Sequence, residues 1–243
     1  MSKPMVWVPV AVFGKFSMGS VPKSSRSLSC SVRKRSVLPP IERNNPMAWK
    51  LETPAEYGPT RQDADPSEWP IQNVDVTKTF RIGGRLLQDD ECPRRIDFRK
   101  NQKGIASVFR ANCGLYVIQQ PLKDLLDELD AGAHQIWQID AFKKDGEPFE
   151  TQCYGINVHR SLQTLIPEKT LTQKSAGDLP TVSRVRGARK YHAEIDSLKI
   201  GSAHWWQEGG VASWMVISDV LDKELKKRKL RFFPRVKIQE FKG

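Results

Sequence analysis

The chain has 243 residues, of which 39% are apolar, enough to bury a core in one domain or two. Its formal charge of +11 is unevenly spread: residues 1–46 hold eight basic side chains against Glu42 alone, so the remainder is only mildly basic and the total does not argue for nucleic acid. No apolar run nears the roughly 20 residues of a membrane span, and Cys30, Cys92, Cys113 and Cys153 form neither a CxxC nor a zinc-spaced Cys/His pair. They are read as reduced thiols of a cytosolic protein, with two disulfides as the alternative.

In chain order, "VWVPVAVFG" has the length of a signal-peptide apolar region. It is broken by Pro9 and followed by Lys15, with no small-x-small cleavage site. "SSRSLSCSVRKRS" is rich in Ser and Arg and poor in acids. Residues 1–46 are therefore expected to be a disordered extension, with Met47 opening the folded protein; export, an organelle presequence and a nucleic-acid tail are the alternatives. Residues 47–79, with Pro54, Pro59, Pro66 and Pro70, are expected to be an irregular lead-in to a domain over 80–243. Within this stretch "VDVTKTF" alternates and predicts a strand. "IDFRKN" and "IASVFRA" predict short strands further on.

The centre of the chain carries a doubling. Sliding "YVIQQPLKDLLDELDAGAHQIWQIDAF" by 99 positions lays it without a gap on "MVISDVLDKELKKRKLRFFPRVKIQEF", with Val117 on Val216, Ile118 on Ile217, Leu126 on Leu225 and Ile139 on Ile238. Leu122, Leu125, Leu126 and Leu129 fall at i, i+3, i+4 and i+7 of a helix that Pro121 begins and Gly132 follows. In the second copy Asp219 is the expected N-cap, and Leu221 and Leu225 give a narrower buried stripe. "HQIWQIDAF" and "FETQCYGINV" flank Asp145-Gly146 and predict a hairpin. Residues 161–190 read as loop with room for one short element, and "KYHAEIDSLKI" as a strand in its first half. The fold class is α+β: antiparallel hairpins with a few short helices, built on a doubled strand–helix–strand unit.

No catalytic set accompanies His134, His159, His192 or His204: HExxH, GxSxG, Walker and GxGxxG patterns are all missing. No catalytic residue, cofactor or metal ligand is assigned. Trp205 and Trp206 are neighbours on a strand, so one ring faces the core and the other is either a surface anchor or covered by the loop over 160–189. The first helix is acidic at Asp124, Asp127, Glu128 and Asp130, while "DKELKKRKLR", residues 222–231, is basic. The two are expected either to pair with each other or to form electrostatically distinct surfaces for a protein partner.

"HWW", a short Gly turn, "VISDVLDKEL" and "LRFFP" in that order resemble the eleventh family of immunity proteins, from bacterial polymorphic-toxin systems. The matching positions are Trp205, Ser218, Asp219, Leu221, Leu225, Phe232 and Pro234, and "CYGINV" is similar to the family's Tyr…Asn-Val strand at Tyr154, Asn157 and Val158. Arg231 stands where the family usually has Gly. The resemblance covers about residues 80–243. It implies a cytoplasmic, non-catalytic protein that binds and neutralises a cognate toxin encoded by a neighbouring gene, with no cofactor and no membrane. Trp205, Trp206, Asp124, Asp127 and Glu128 are the candidate contacts. The rival readings are a nucleic-acid-binding module, which needs the basic helix and Arg184, Arg186, Arg189 and Lys190 on one face, and an enzyme built on His192 or His204.

Overall fold

The computed structural model describes residues 48–52, 62–66, 79, 85–101, 104–175, 179–188 and 190–240. The extension over 1–46 lies outside them, as does the strand expected over 74–80 apart from Thr79.

Strands β1 (Ala48–Leu51), β2 (Ala64–Asp65), β3 (Arg95–Phe98), β4 (Val108–Arg110) and β5 (Tyr116–Gln119) precede helix α1 (Gln120–Leu129). Next come β6 (Gln135–Phe142) and β7 (Cys153–Asn157), which pair antiparallel as the expected hairpin. Short strands β8 (Ser161–Leu162), β9 (Thr172–Gln173), β10 (Thr181–Val182) and β11 (Glu194–Ile195) occupy the connecting stretch. The chain then forms β12 (Trp205–Glu208), β13 (Met215–Ser218), helix α2 (Asp219–Lys227) and β14 (Arg235–Glu240).

The fold is α+β. One sheet runs β2-β3-β6-β7-β5-β4 and the other β11-β14-β1-β13-β12-β8, with β9 and β10 as a separate pair. The sheets are mixed rather than purely antiparallel, since β6 pairs parallel with β3, β14 with β11 and β12 with β8. A second correction concerns residues 48–51, placed above in an irregular lead-in: β1 lies inside its sheet, hydrogen-bonded to β13 on one side and β14 on the other.

The helices follow from local sequence. In α1, Pro121 sits in the first turn, where a missing N–H leaves no helical bond unmade. Leu122, Leu125 and Leu126 are fully buried, and Gly132 turns the chain at φ +68°, a conformation that glycine takes without steric penalty. In α2 the N-cap is Ser218, one residue earlier than expected: its hydroxyl accepts the Leu221 amide at 3.1 Å, and Asp219 is already helical.

The pairings of the two sheets run in step. β5 sets Gln119, Ile118 and Val117 against Cys153, Tyr154 and Gly155 of β7; β13 sets Ser218, Ile217 and Val216 against Ala48, Trp49 and Lys50 of β1. β6 brings Ile139, Gln138, Trp137 and Ile136 to β7, and β14 brings Ile238, Lys237, Val236 and Arg235 to β1 in the same order. The parallel neighbours agree as well, Arg95 on Asp140 and Glu194 on Gln239. Each of these pairs differs by 99 between the sheets, except that β1 stands where β7 stands.

Among the described residues, three apolar clusters hold the layers. A central one joins Leu122, Leu125 and Leu126 of α1, Leu221 and Leu225 of α2, and Ile118, Ile156, Ile217, Phe232 and Phe233. The opposite face of the first sheet packs Val117, Trp137 and Ile139 with Phe98 and Phe109. That of the second packs Ala48, Val216 and Ile238 with Trp206, Leu165 and Trp214.

Candidate partner-binding site

Trp205 and Trp206 point to opposite faces of β12, as alternation requires, but neither reaches solvent: both are 0% exposed. Trp205 belongs to the central cluster, edge-on to Tyr116, Phe232 and His134. Trp206 lies under Leu165 and Val182, from the connecting stretch. That cover is fastened by the buried Glu208, whose carboxylate accepts the amides of Thr164 at 2.6 Å and Leu165 at 2.9 Å and the Trp206 indole N–H at 3.3 Å. Burial raises the Glu208 pKa despite these donors. The expectation of an exposed tryptophan anchor is therefore withdrawn; both rings are core.

The positions of the family motif are mainly structural. Leu221 and Leu225 are fully buried, Phe232 is buried, and Pro234 is exposed between Phe233 and β14. Ser218 caps α2 while its hydroxyl lies 2.8 Å from His204 Nδ1. Asp219 receives the Trp49 indole N–H at 3.4 Å and pairs with Lys223 at 2.7 Å. Ser218 and His204 make no relay with Asp130, because Asp130 accepts from the His204 amide and not from its ring.

Asp130, read from the sequence only as one of the acidic residues of the first helix, is a buried polar centre. Its carboxylate, 1% exposed, accepts Arg160 Nη1 at 2.8 Å and the amides of His204 at 3.0 Å and Trp205 at 2.8 Å. It thereby ties the end of α1 to the start of β12. Burial pushes its carboxyl up, yet His134, the Trp205 amide and Arg160 outweigh that and hold it below the ordinary 3.8. A signal was present in the sequence: an acid at a helix C-terminus opposes the helix dipole and calls for compensating donors.

Asp124, Asp127 and Glu128 form an exposed acidic stripe on α1. Each has a local partner: Gln120 Nε2 on Asp124 at 2.6 Å, Lys123 on Asp127 at 2.6 Å, and Arg228 of α2 on Glu128 at 3.2 Å. The last contact realises the pairing of acidic and basic helices. Beside the stripe opens a cavity of about 230 Å³ between Lys123, Leu126, Asp127 and Asp130 on the helix side and Gly132, His134 and Ile136 on the strand side.

On α2, Lys226 pairs with Asp222 at 2.7 Å, Lys227 with Glu224 at 3.1 Å, and Arg228 with Glu128, so much of its basic charge is met within the fold. Of the other cations the nucleic-acid reading needs, Arg184 is bonded to Glu52, and Arg189 lies outside the described residues. Among the described residues, no three His, Cys, Asp or Glu side chains gather to hold a metal, and no helix is long and apolar enough to cross a membrane. Cys92, Cys113 and Cys153 are free thiols, with burial raising Cys153 to about 12.

No curated protein matches the chain. The model of an immunity protein family, Imm11, matches residues 30–239, a span that takes in α1, α2 and most of the two six-stranded sheets described above, and the chain belongs to that family.

Proposed function

We propose that this chain is a non-catalytic immunity protein that binds and neutralises a cognate bacterial toxin of a polymorphic-toxin system, in the cytoplasm of the cell that makes both. The family match over residues 30–239 carries the reading. The exposed stripe of Asp124, Asp127 and Glu128, with a cavity at its side, supports α1 as the docking face. The same reading treats the frame as a doubled strand–helix–strand unit, which the matched registers of the two sheets support. Nucleic acid is the weaker candidate, since the α2 cations are spent on Asp222, Glu224 and Glu128.

The test is binding of purified chain to the products of its neighbouring genes. One of them should bind, and changing Asp124 and Asp127 together to Lys should slow association about tenfold or more at low salt while leaving the melting temperature in place. If no neighbouring product binds, the toxin reading fails. If binding is indifferent to the charge reversal, α1 is not the docking face.

A further inference from the structure

The two sheets share a register but differ in charge at one corner. Trp49 of β1 lies between Ile217 of β13 and Lys237 of β14, as Tyr154 of β7 lies between Ile118 and Gln138. Directly opposed residues of antiparallel strands share a face, so Lys237 stands beside the indole. From α2, Asp219 accepts the indole N–H at 3.4 Å, and the Lys226 ammonium lies 5.0 Å from the ring centre. The positions 99 earlier hold Gln138 for Lys237, Asp127 for Lys226 and Asp124 for Lys223. The same frame stands with either charge, so the fold does not account for the lysines around Trp49.

Charge decides what this corner attracts. Lys223, Lys226, Arg235 and Lys237 gather there against the carboxylates of Asp219 and Asp222. Lys223 pairs with Asp219 at 2.7 Å. Asp222 is shared by Lys226, at 2.7 Å, and Arg235, so one buried carboxylate answers two cations. Lys237 is exposed and makes no ion pair among the described residues. The corner is left positive. It is also open to a partner: the Lys223 and Lys226 side chains are 65% and 61% exposed, and Val220 in the first turn of α2 is exposed as well. Of the tryptophans among the described residues, Trp49 alone is not buried.

Resting on the toxin-binding reading, we propose that the corner of β1, α2 and β14 is a second contact patch, which takes an acidic segment of the toxin. A carboxylate of that segment meets Lys226 and Lys237, and the apolar residue beside it packs on the open edge of Trp49 and on Val220. A polynucleotide fits less well. Trp49 is a single stacking platform, and the neighbouring α1, joined through Glu128 to Arg228, presents acids that repel a phosphate backbone. Since the α1 stripe calls for basic groups and this corner for acidic ones, the partner must carry both signs at a set spacing. That requirement rejects relatives of uniform charge.

The test follows the indole N–H resonance of Trp49 by NMR while the full chain is titrated with acetyl-Glu-Leu-Glu-amide, with acetyl-Gln-Leu-Gln-amide as the uncharged control. The acidic peptide should shift it saturably and the control should not. Lys237→Glu should weaken that binding about fivefold or more, whereas Lys144→Glu, the same charge change on the exposed turn between β6 and β7, should leave it in place. No saturable shift, or equal shifts with the control, overturns the patch. A shift with a thymidylate hexamer and not with the acidic peptide assigns the corner to nucleic acid and overturns it too. Against a toxin among the neighbouring gene products, Trp49→Phe and Lys237→Glu should each lower affinity about tenfold or more, and Lys144→Glu should not. Lys237→Glu, on the solvent side of its strand, keeps this arm decisive should Trp49→Phe fail to fold. Toxin binding untouched by Lys237→Glu leaves the immunity reading standing and removes this patch. A peptide shift with no toxin among the neighbouring products upholds the acidic-segment site and removes the reading beneath it.

Discussion

At the scale of single residues, the fold is most exposed to error where two side chains share one space. Gly155 sits mid-strand in β7, and a Cβ there would overlap the indole of Trp137, which is fixed by its N–H on the Pro93 carbonyl at 2.8 Å. Gly155→Ala should therefore destabilise by about 1–3 kcal/mol through overpacking; an unchanged denaturation midpoint would mean the indole moves freely. Leu126 and Leu225 sit 99 apart in the same central cluster, 1% and 0% exposed. Each change to Ala should cost about 2–4 kcal/mol by leaving a cavity. Leu126 is expected to cost more, because α1 buries three leucines and α2 two. Urea titrations of the two variants decide it, and a loss near zero at either position would remove that helix from the core. The leucines were legible because helical periodicity is local. The tryptophans were legible only by half. Alternation places Trp205 and Trp206 on opposite faces, but that both faces are covered depends on Leu165 and Val182, contacts no local pattern records.

At the scale of elements, the joint between α1 and β12 is an electrostatic one. Asp130→Asn would leave Arg160 Nη1 and two amides facing a neutral amide and should cost about 1.5–3 kcal/mol. The joint also fixes how stability depends on pH. Burial, reinforced by the charge of His134 on one and Arg160 on both, holds His159 and, despite the counter-pull of Asp130, His204 below their ordinary 6.5. The unfolded chain then binds protons that the folded one refuses, so their contribution is whole above 6.5 and shrinks as pH falls through that value. Asp130, held below 3.8, stabilises above 3.8 and loses that contribution as pH falls further. Urea midpoints should accordingly drop between about pH 7.5 and 5.5 and again below about pH 4, with His204→Asn flattening the first step. A level profile over the upper range would contradict the burial of these rings. None of this joint was read from the sequence, since Asp130, His134, Arg160 and His204 are separated by up to 74 positions and meet only where the turn after α1, the segment between β7 and β8 and the start of β12 come together.

At the scale of the molecule, the spacing of 99 was visible because β5–α1–β6 and β13–α2–β14 are continuous stretches of like pattern. The place of β1 was not visible. "AWKL" is four residues with no clear alternation between Pro46 and Pro54, and its partners lie at the far end of the chain, Ser218 to Val216 and Ile238 to Arg235. A strand that short is specified by its neighbours and not by itself. In the first sheet, β7 reaches the equivalent place after β6 through residues 143–152, running antiparallel to it; β1 runs antiparallel to β14 in the same way. If the two sheets are copies of one unit, the slot between β13 and β14 should accept its strand from either direction of approach. Deleting residues 1–52 should then abolish cooperative melting, because the inner edges of β13 and β14 lose their hydrogen bonds along the middle of a sheet. Joining residues 44–53 behind β14 through a ten-residue turn like 143–152, in the same truncated chain, should restore a single cooperative transition. The restored strand would make the register Trp49 on Ile217 and Lys237 that the intact protein has. Hydrogen exchange at the β13 and β14 amides would read that register directly. If the rejoined chain melts no better than the deletion, β1 is bound to its own route into the sheet, and the correspondence with β7 is one of pairing geometry alone.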